Sequence, residues 1–276
     1  MRFSVITPSF RNSELLKQCV ASVADQGVEL EHIIQDACSD DGTREWLSKD
    51  PRVKAFFEKD RGMYDAVNKG LLRSTGEILS YINCDEQYLP GSLKSVDDFF
   101  QKNPQVDMVF GDFVVVDGTG EYIFHRKVMT PLLYHTWVDH LQTFTCATFF
   151  RRSLIDQHGL LFNPDYRMSG DGEWMLRVLQ KKLRMAVMRR FTSTFMMTGI
   201  NLSASPGATE ESRRLFESAP AAAKLLKPLI ILQHRLRRLL GGIYWQKPFT
   251  YELFTSGSLE KRERKEALNP RFRWRS

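Results

Sequence analysis

Over its first hundred residues the chain switches repeatedly between two hydrophobic periods, and this alternation restricts the fold more than any other feature. Short β-rich runs occur at residues 3–7, 32–35, 53–57 and 78–82. Between them Leu15, Leu16, Cys19, Val20 and Val23 share one face at a spacing of about 3.6 residues, as do Met63, Ala66, Val67, Gly70 and Leu71. Asn12 or Ser13 can cap the first of these helices. Strand and helix alternating in this rhythm predict crossover units, hence an α/β fold with a mixed, mainly parallel sheet flanked by helices.

From about residue 107 the rhythm changes. Residues 107–112, 113–116 and 122–125 read as strands joined by tight turns, one of them at Asp117-Gly118, and helices are expected near 152–158 and 172–182. The segment Ser203-Ala204-Ser205-Pro206-Gly207 marks a boundary between a domain at 1–205 and an extension at 206–276. Beyond it residues 209–240 read as helix, interrupted at Pro220 and Pro228, and the last sixteen residues read as a loosely ordered charge run.

Charge sharpens this division. The net charge is +6, but residues 208–276 hold 15 Lys and Arg against 7 Asp and Glu, while the rest holds 24 against 26. Any anionic partner therefore concerns the extension. No recognisable nucleic-acid module accompanies the charge, so nucleic acid is not the expected partner. Instead Leu225, Leu229, Leu232, Leu236 and Leu239 or Leu240 form a stripe beside Arg235, Arg237 and Arg238. That pattern fits an interfacial helix on an anionic membrane through residues 225–240. It fits equally a helix packed on its own domain or on a second copy of the chain.

The four cysteines, Cys19, Cys38, Cys84 and Cys146, are widely spaced and read as buried free thiols. The N-terminus enters a strand pattern without an apolar signal core, and the aliphatic run Leu229-Ile230-Ile231-Leu232 is far too short to span a bilayer. The expected location is the cytoplasm, with peripheral attachment at the inner membrane face as an option.

Three polar clusters fall where strands end or helices begin, which is where open α/β sheets bind ligands. They are Gln35-Asp36-Ala37-Cys38-Ser39-Asp40-Asp41-Gly42-Thr43, then Asn83-Cys84-Asp85-Glu86, then Ser169-Gly170-Asp171-Gly172-Glu173. One such cluster is ordinary turn chemistry; three in one domain point to a ligand crevice.

The segments Thr7-Pro8-Ser9-Phe10-Arg11-Asn12, Asp40-Asp41-Gly42-Thr43, Asp60-Arg61-Gly62-Met63-Tyr64-Asp65-Ala66-Val67-Asn68-Lys69-Gly70 and Asn83-Cys84-Asp85-Glu86 follow in this order. Together they resemble the family 2 glycosyltransferases, which share the Rossmann-like GT-A fold. The likeness covers roughly residues 2–203, with Gly76-Glu77-Ile78 and Gly199-Ile200-Asn201-Leu202-Ser203 as further matches. The run from His140-Leu141-Gln142 through Phe149-Phe150-Arg151-Arg152 to Asp171 resembles the subgroup that adds single sugars to glycan precursors.

The resemblance implies a nucleoside-diphosphate sugar donor, UDP- or GDP-linked, and a glycan or lipid-linked acceptor. It also implies a divalent cation, Mn2+ or Mg2+, held by Asp85 with Asn83 and Glu86 nearby, to neutralise the leaving diphosphate. Asp36 would bind the nucleobase edge beside a wall of Thr7, Pro8 and Phe10. Asp41 would bind the ribose or cap a helix. Arg61 and Lys69 carry charge suited to the diphosphate, while Tyr64, Asp65, Asn68 and Cys84 face or flank the donor. Asp171 matches the family's base, with Glu173 in reserve, and one base without a partner nucleophile implies inversion. His140 and Gln142 fall on the acceptor side. Neither a Gln-x-x-Arg-Trp sequence nor a membrane span accompanies these motifs, so one sugar per encounter is expected. Two other readings stay open: a sugar nucleotidyltransferase, weakened because residues 7–12 contain no glycine, and a nucleotide-binding scaffold without turnover.

Overall fold

The computed structural model describes residues 2–197 and 206–270. In chain order its elements are β1 (Phe3–Ser9), α1 (Ser13–Ala24), β2 (Leu30–Asp36), α2 (Thr43–Leu47), β3 (Lys54–Phe57), α3 (Met63–Arg73) and β4 (Ile78–Tyr81). There follow β5 (Glu86–Tyr88), α4 (Ser92–Lys102), β6 (Met108–Asp117), β7 (Tyr122–Arg126), α5 (Leu133–Val138), β8 (Thr148–Arg151), α6 (Ser153–Asp156), α7 (Gly170–Gln180) and β9 (Met185–Met197). The extension contains α8 (Pro206–Glu217), α9 (Ala221–Leu225), α10 (Lys227–Leu240), β10 (Phe249–Thr255) and β11 (Ser258–Ala267).

The main sheet has the order β3-β2-β1-β4-β8-β6-β9-β5, with β7 added beside β6. Strands β3, β2, β1 and β4 are mutually parallel. Every residue of β1 is buried, as a central parallel strand with both faces covered requires. From β1 the chain builds outward to β2 and β3, then returns to the other side as β4. That reversal leaves a crevice at the carboxyl ends of β1 and β4. Two glycines permit the close packing beneath it. A Cβ on Gly70 would lie 2.5 Å from the Ile6 side chain, and one on Gly76 would lie 2.5 Å from the Phe3 carbonyl carbon. Wholly buried Phe110, Phe149 and Phe150 help fill the core of this sheet, each worth about 1.5–3 kcal/mol of transfer free energy.

The strand β6 corrects the expectation of two strands at 107–112 and 113–116: residues 108–117 form a single long strand. Its register to β9 shifts at Gly111 to Phe113, where Thr192 presses against Gly111 so closely that a Cβ would meet Oγ1 at 2.3 Å. The irregularity mimics a strand break in the sequence without ending the strand. The Asp117-Gly118 turn is present, with the Asp117 carboxylate accepting the amides of Thr119 and Glu121.

The extension is not wholly helical, and residues 261–267 are not loosely ordered. They belong to β11, which pairs antiparallel with β10. Buried Tyr251 and Leu253 of β10 pack against Val114, Val116 and Met196 of the main sheet, and Arg262 of β11 makes a two-pronged contact with Asp25. The charge run therefore follows a strand held by pairing with β10 and by side-chain contacts of Arg262 with Asp25 and Lys265 with Glu121. A second correction concerns the leucine stripe. Leu225, Leu229, Leu232, Leu236, Leu239 and Leu240 are all exposed, so the stripe does not pack on its own domain. The opposite face of α10, carrying buried His234 and Arg238, faces the domain instead. The boundary expected at 203–207 and the match at 199–203 lie outside the described residues, apart from Pro206 and Gly207 in α8. No helix among the described residues is long and apolar enough to cross a membrane.

Candidate active site

The crevice is built where β1, β2 and β4 end side by side. Ser9 pairs in register with Asp36, the Ala37 amide donates to the Ser9 carbonyl at 2.9 Å, and the Ile82 amide donates to the Ile6 carbonyl at 2.9 Å. Asp36 is fully buried, and its carboxylate accepts both the amide and the hydroxyl of Ser39 at 2.8 Å. Among the described residues three non-glycine residues have positive φ, and two of them, Arg11 and Cys38, sit on this rim. Such backbone is costly and concentrates at ligand sites. Cys38 is exposed, not buried as expected, because the turn that brings Ser39 to Asp36 points it outward.

The expected wall divides by orientation. Phe10 is 55% exposed and lies under the Arg11 guanidinium, whose other side grips Asp40 at 2.7 Å. An exposed aromatic beside a fixed cation can stack on a base. Pro8 is buried at the strand end. Thr7 corrects the expectation: its hydroxyl is turned into the core toward His32 at 2.9 Å, so only its backbone is near the crevice. Asp41 acts as a helix cap at two places. Its carboxylate accepts the Ser13 amide at the start of α1 at 3.0 Å and the Thr43 amide and hydroxyl at the start of α2. That leaves Asn12 as the N-cap of α1 without a side-chain capping bond, so neither Asn12 nor Ser13 supplies the cap.

The second cluster is a tight turn after β4 in which the Glu86 amide bonds the Asn83 carbonyl at 3.1 Å. The Asn12 side chain reaches across from the β1 side to Cys84 Sγ at 3.3 Å, tying the two walls together. Glu86 is buried and its carboxylate accepts the Asn83 amide at 2.7 Å. Burial pushes the carboxyl groups of Asp85 and Glu86 upward, the more so for Glu86 because Asp85 lies beside it. Asn83 Oδ1 and Glu86 Oε1 are buried without a hydrogen-bond partner. Orphaned oxygens beside carboxyls lacking positive charge suit a hard cation. Among the described residues no cluster of three ligating side chains forms at Asp85, so a cation here would take most of its ligands from a bound diphosphate.

The third cluster begins α7. Gly170 is required there, since a Cβ would lie 2.6 Å from the Tyr64 ring. The Tyr64 hydroxyl accepts the Asp171 amide at 3.1 Å and donates to Asp171 Oδ1 at 3.4 Å, locking α3 to α7. Burial raises the Asp171 carboxyl above the ordinary range, with a smaller contribution from the Glu211 charge. A cleft lined by Tyr81, Thr143, Thr145, Phe162 and Trp174 reaches Asp171. Phe162 stacks on Tyr64 and meets Tyr81 edge-on, so an aromatic chain connects Asp171 to β4 and the Asp85 turn. Glu173 is bound by both prongs of Arg177 at 2.7 and 2.9 Å.

Around α3 the expected donor residues divide again. Arg61 is exposed, its side chain 3.7 Å from Asp65, and its amide donates to Asp65 at 3.0 Å. Lys69 stands 3.7 Å from the same carboxylate. Asn68 corrects the expectation: its amide exchanges both hydrogen bonds with the Phe162 backbone at 2.7 and 2.8 Å and supports the aromatic chain from beneath.

Two features escaped the sequence reading. Glu211 of α8 accepts the amides of Arg167, Met168 and Ser169 at 2.7–2.9 Å, so the extension holds the loop that carries Asp171. His140, expected on the acceptor side, belongs to a cluster with His135 and Asp139. No local pattern marks Glu211; the His135-x-x-x-Asp139 spacing was visible but unremarkable alone.

Comparison with known proteins bears on the fold and the family. A "PGL/p-HBAD biosynthesis glycosyltransferase" of Mycobacterium tuberculosis is 28% identical over 182 residues, 63% of this chain and 68% of that protein. The S. aureus TarS 1-349 structure in complex with UDP-GlcNAc matches with a TM-score of 0.64 at 17% identity, covering 87% of this chain and 73% of that one. A longer TarS chain is spanned over 44% of its length. Mannosyltransferase PcManGT from Pyrobaculum calidifontis, in complex with GDP-Man and Mn2+, matches with a TM-score of 0.52 at 16% identity, covering 87% of this chain and 79% of that one. The family model "Glycosyl transferase family 2" matches residues 4–159, more than half of the chain, and the chain belongs to that family.

Proposed function

We propose that the chain transfers a single sugar from a UDP- or GDP-sugar to a hydroxyl of a glycan or lipid-linked acceptor, with inversion at the anomeric carbon and with a divalent cation. The observation that carries this reading is the Asp171 carboxyl, raised by burial and held at the start of α7 by Tyr64, beside the crevice of β1 and β4. The bound UDP-GlcNAc of TarS and the GDP-Man and Mn2+ of PcManGT support the donor class and the cation.

In this reading Phe10 and Asp36 receive the nucleoside, and Arg61 receives the diphosphate. Asp85 holds the cation, with Asn83 Oδ1 available beside it, and the cation when bound offsets negative charge on the diphosphate. Asp171 accepts the acceptor hydroxyl's proton while that oxygen attacks C1. The C1–oxygen bond to the diphosphate breaks, and its electron pair leaves with the diphosphate. A carboxylate with a raised pKa is a stronger base for this step than an exposed one. Glu173, already neutralised by Arg177, is less suited to it.

The exposed leucines of α9 and α10, with Lys227, Arg235 and the basic balance of the extension, support attachment to an anionic membrane face on the cytoplasmic side, where a lipid-linked acceptor would lie. Vesicle sedimentation tests this: binding to anionic but not neutral vesicles, weakened by Leu229→Ser with Leu236→Ser, supports attachment. Loss of a dimer in the same variant, without vesicle binding, supports a second copy as the occupant.

The donor site is tested by thermal stability with UDP or GDP, each with Mn2+ or EDTA, on wild type and Asp85→Asn. Ligand at about a hundredfold excess over Kd stabilises by about 2.7 kcal/mol. A cation-dependent shift with one nucleotide, lost in the variant, supports the site and identifies the base. A folded protein that shifts with neither nucleotide refutes the reading.

A further inference from the structure

On the side of the molecule where the extension meets the domain, α5 and α10 enclose a cavity of about 180 Å³ lined by His135, Asp139, His140, His234, Arg238 and Tyr244. This is half of the chain's six histidines, drawn from two segments nearly a hundred residues apart. We infer that His135, Asp139 and His140 form a binding site for a divalent transition cation of the zinc class, with His234 of α10 presenting a further imidazole to it.

The ligand atoms of His135, Asp139 and His140 all lie within 4.8 Å of one another. His135 Nε2 is 3.3 Å and His140 Nδ1 is 2.7 Å from the same carboxylate oxygen, Asp139 Oδ2. Asp139 is the C-cap of α5, one turn beyond His135, and its amide bonds the His135 carbonyl at 3.0 Å, which keeps the two side chains on one side of the helix end. Two imidazoles and one carboxylate are a donor set that suits zinc and leaves coordination open.

The second observation is independent of that cluster. His234 is 2% exposed, its ring lies 4.0 Å from that of His135, and neither of its ring nitrogens has a hydrogen-bond partner among the described residues. His135 Nδ1 is orphaned as well. A buried imidazole with both nitrogens unsatisfied is costly, and a cation or its bound water removes the cost. The competing positive charges are Arg235 and Arg238, which line the same cavity, and Arg237 between them on α10. The Arg238 guanidinium is turned to the Gln142 side-chain oxygen, and burial lowers it to about 9.

The site has a structural consequence. Residues 139–145 run from this cluster into the cleft at Asp171, which Leu141, Thr143 and Thr145 line. A cation fastened to α5 and neighboured by α10 holds the extension to the domain and steadies that wall. It is separate from the Asp85 turn, and the two can be told apart.

The test uses the full chain stripped with EDTA and dialysed against Zn2+, with bound metal quantified for wild type, Asp85→Asn, His135→Gln, His140→Gln and the exposed-site control His158→Gln. Circular dichroism verifies that each is folded. One equivalent retained by wild type, Asp85→Asn and His158→Gln, with affinity at least tenfold lower in both His135→Gln and His140→Gln, supports the site. Zn2+ should raise the Tm of wild type and leave that of the two cluster variants unmoved, and Co2+ in place of Zn2+ should give visible absorption only where the cluster is intact. Folded wild type that takes up no Zn2+, undiminished binding in the cluster variants, or loss in Asp85→Asn or His158→Gln overturns it.

Discussion

Removing Glu211 separates what the extension does for the catalytic domain from what the domain does alone. Its carboxylate accepts three backbone amides at 2.7–2.9 Å from the loop that leads into α7. A hydrogen bond to a charged acceptor contributes about 1.5–3 kcal/mol when well buried. This one is only partly buried, and three donors share two oxygens, so Glu211→Ala should cost about 2–4 kcal/mol in total. For a chain of this size about 2 °C of Tm accompanies each kcal/mol, giving a fall of about 4–8 °C by calorimetry. Glu211→Gln keeps one acceptor oxygen and should lose about half as much. Activity should fall more than stability implies, because the loop carries Asp171, and displacement of a reacting group by about 1 Å can cost roughly a hundredfold in rate. The pH profile adds a signature that loosened packing lacks. The Glu211 charge helps to raise the Asp171 carboxyl, after burial, so Glu211→Gln should move the acid limb of kcat/KM to lower pH. A Tm change below about 1 °C with unaltered kcat and an unmoved acid limb would refute the reasoning.

Other expected outcomes follow from the same contacts. Asp171→Asn should lower kcat by about 10²–10⁴-fold while leaving Tm unchanged or higher at neutral pH, since it removes a carboxylate whose ionised form burial disfavours; retained turnover in calorimetrically intact protein excludes Asp171 as the base. Glu31, bonded to Ser4, Lys54 and Thr75, has its carboxyl lowered to about 2, its hydrogen bonds outweighing burial. Its contribution is therefore present in full above about pH 4.5 and lost as pH falls toward about 2; Glu31→Gln should flatten acid unfolding over that window, and an unchanged curve rejects the assignment. Gly76→Ala places a methyl against the Phe3 and Ser4 backbone, which cannot yield as a side chain can, and should cost about 3 kcal/mol or prevent folding; a loss under about 1 kcal/mol by urea titration contradicts the packing at that crossing.

Much of the parallel half of the sheet was legible before any coordinates, because its signals are local. The hydrophobic period changes at residues 3–7, 32–35 and 78–82 mark parallel strands, and turn-forming acids placed directly after them mark the crevice. Orientation was not legible. Thr7 and Asn68 match the pattern of donor residues, yet one bonds His32 inside the core and the other bonds the Phe162 backbone. Asp41 could bind a ribose or cap a helix on sequence grounds, and the structure has it capping two.

The sequence by itself determined the order of strand and helix from β1 to β4, the parallel half of the sheet and the positions of the acidic turns, since these follow from side-chain period and backbone preference within a few residues. Tertiary structure decided the rest. It joined residues 108–117 into one strand, folded the last charged segment into a hairpin and turned the leucine stripe outward. It also brought Glu211 to the Asp171 loop and His234 to His135. Apart from the pairing within the hairpin itself, each of these depends on partners many tens of residues away, and a contact across that separation leaves no periodic trace in the residues that make it.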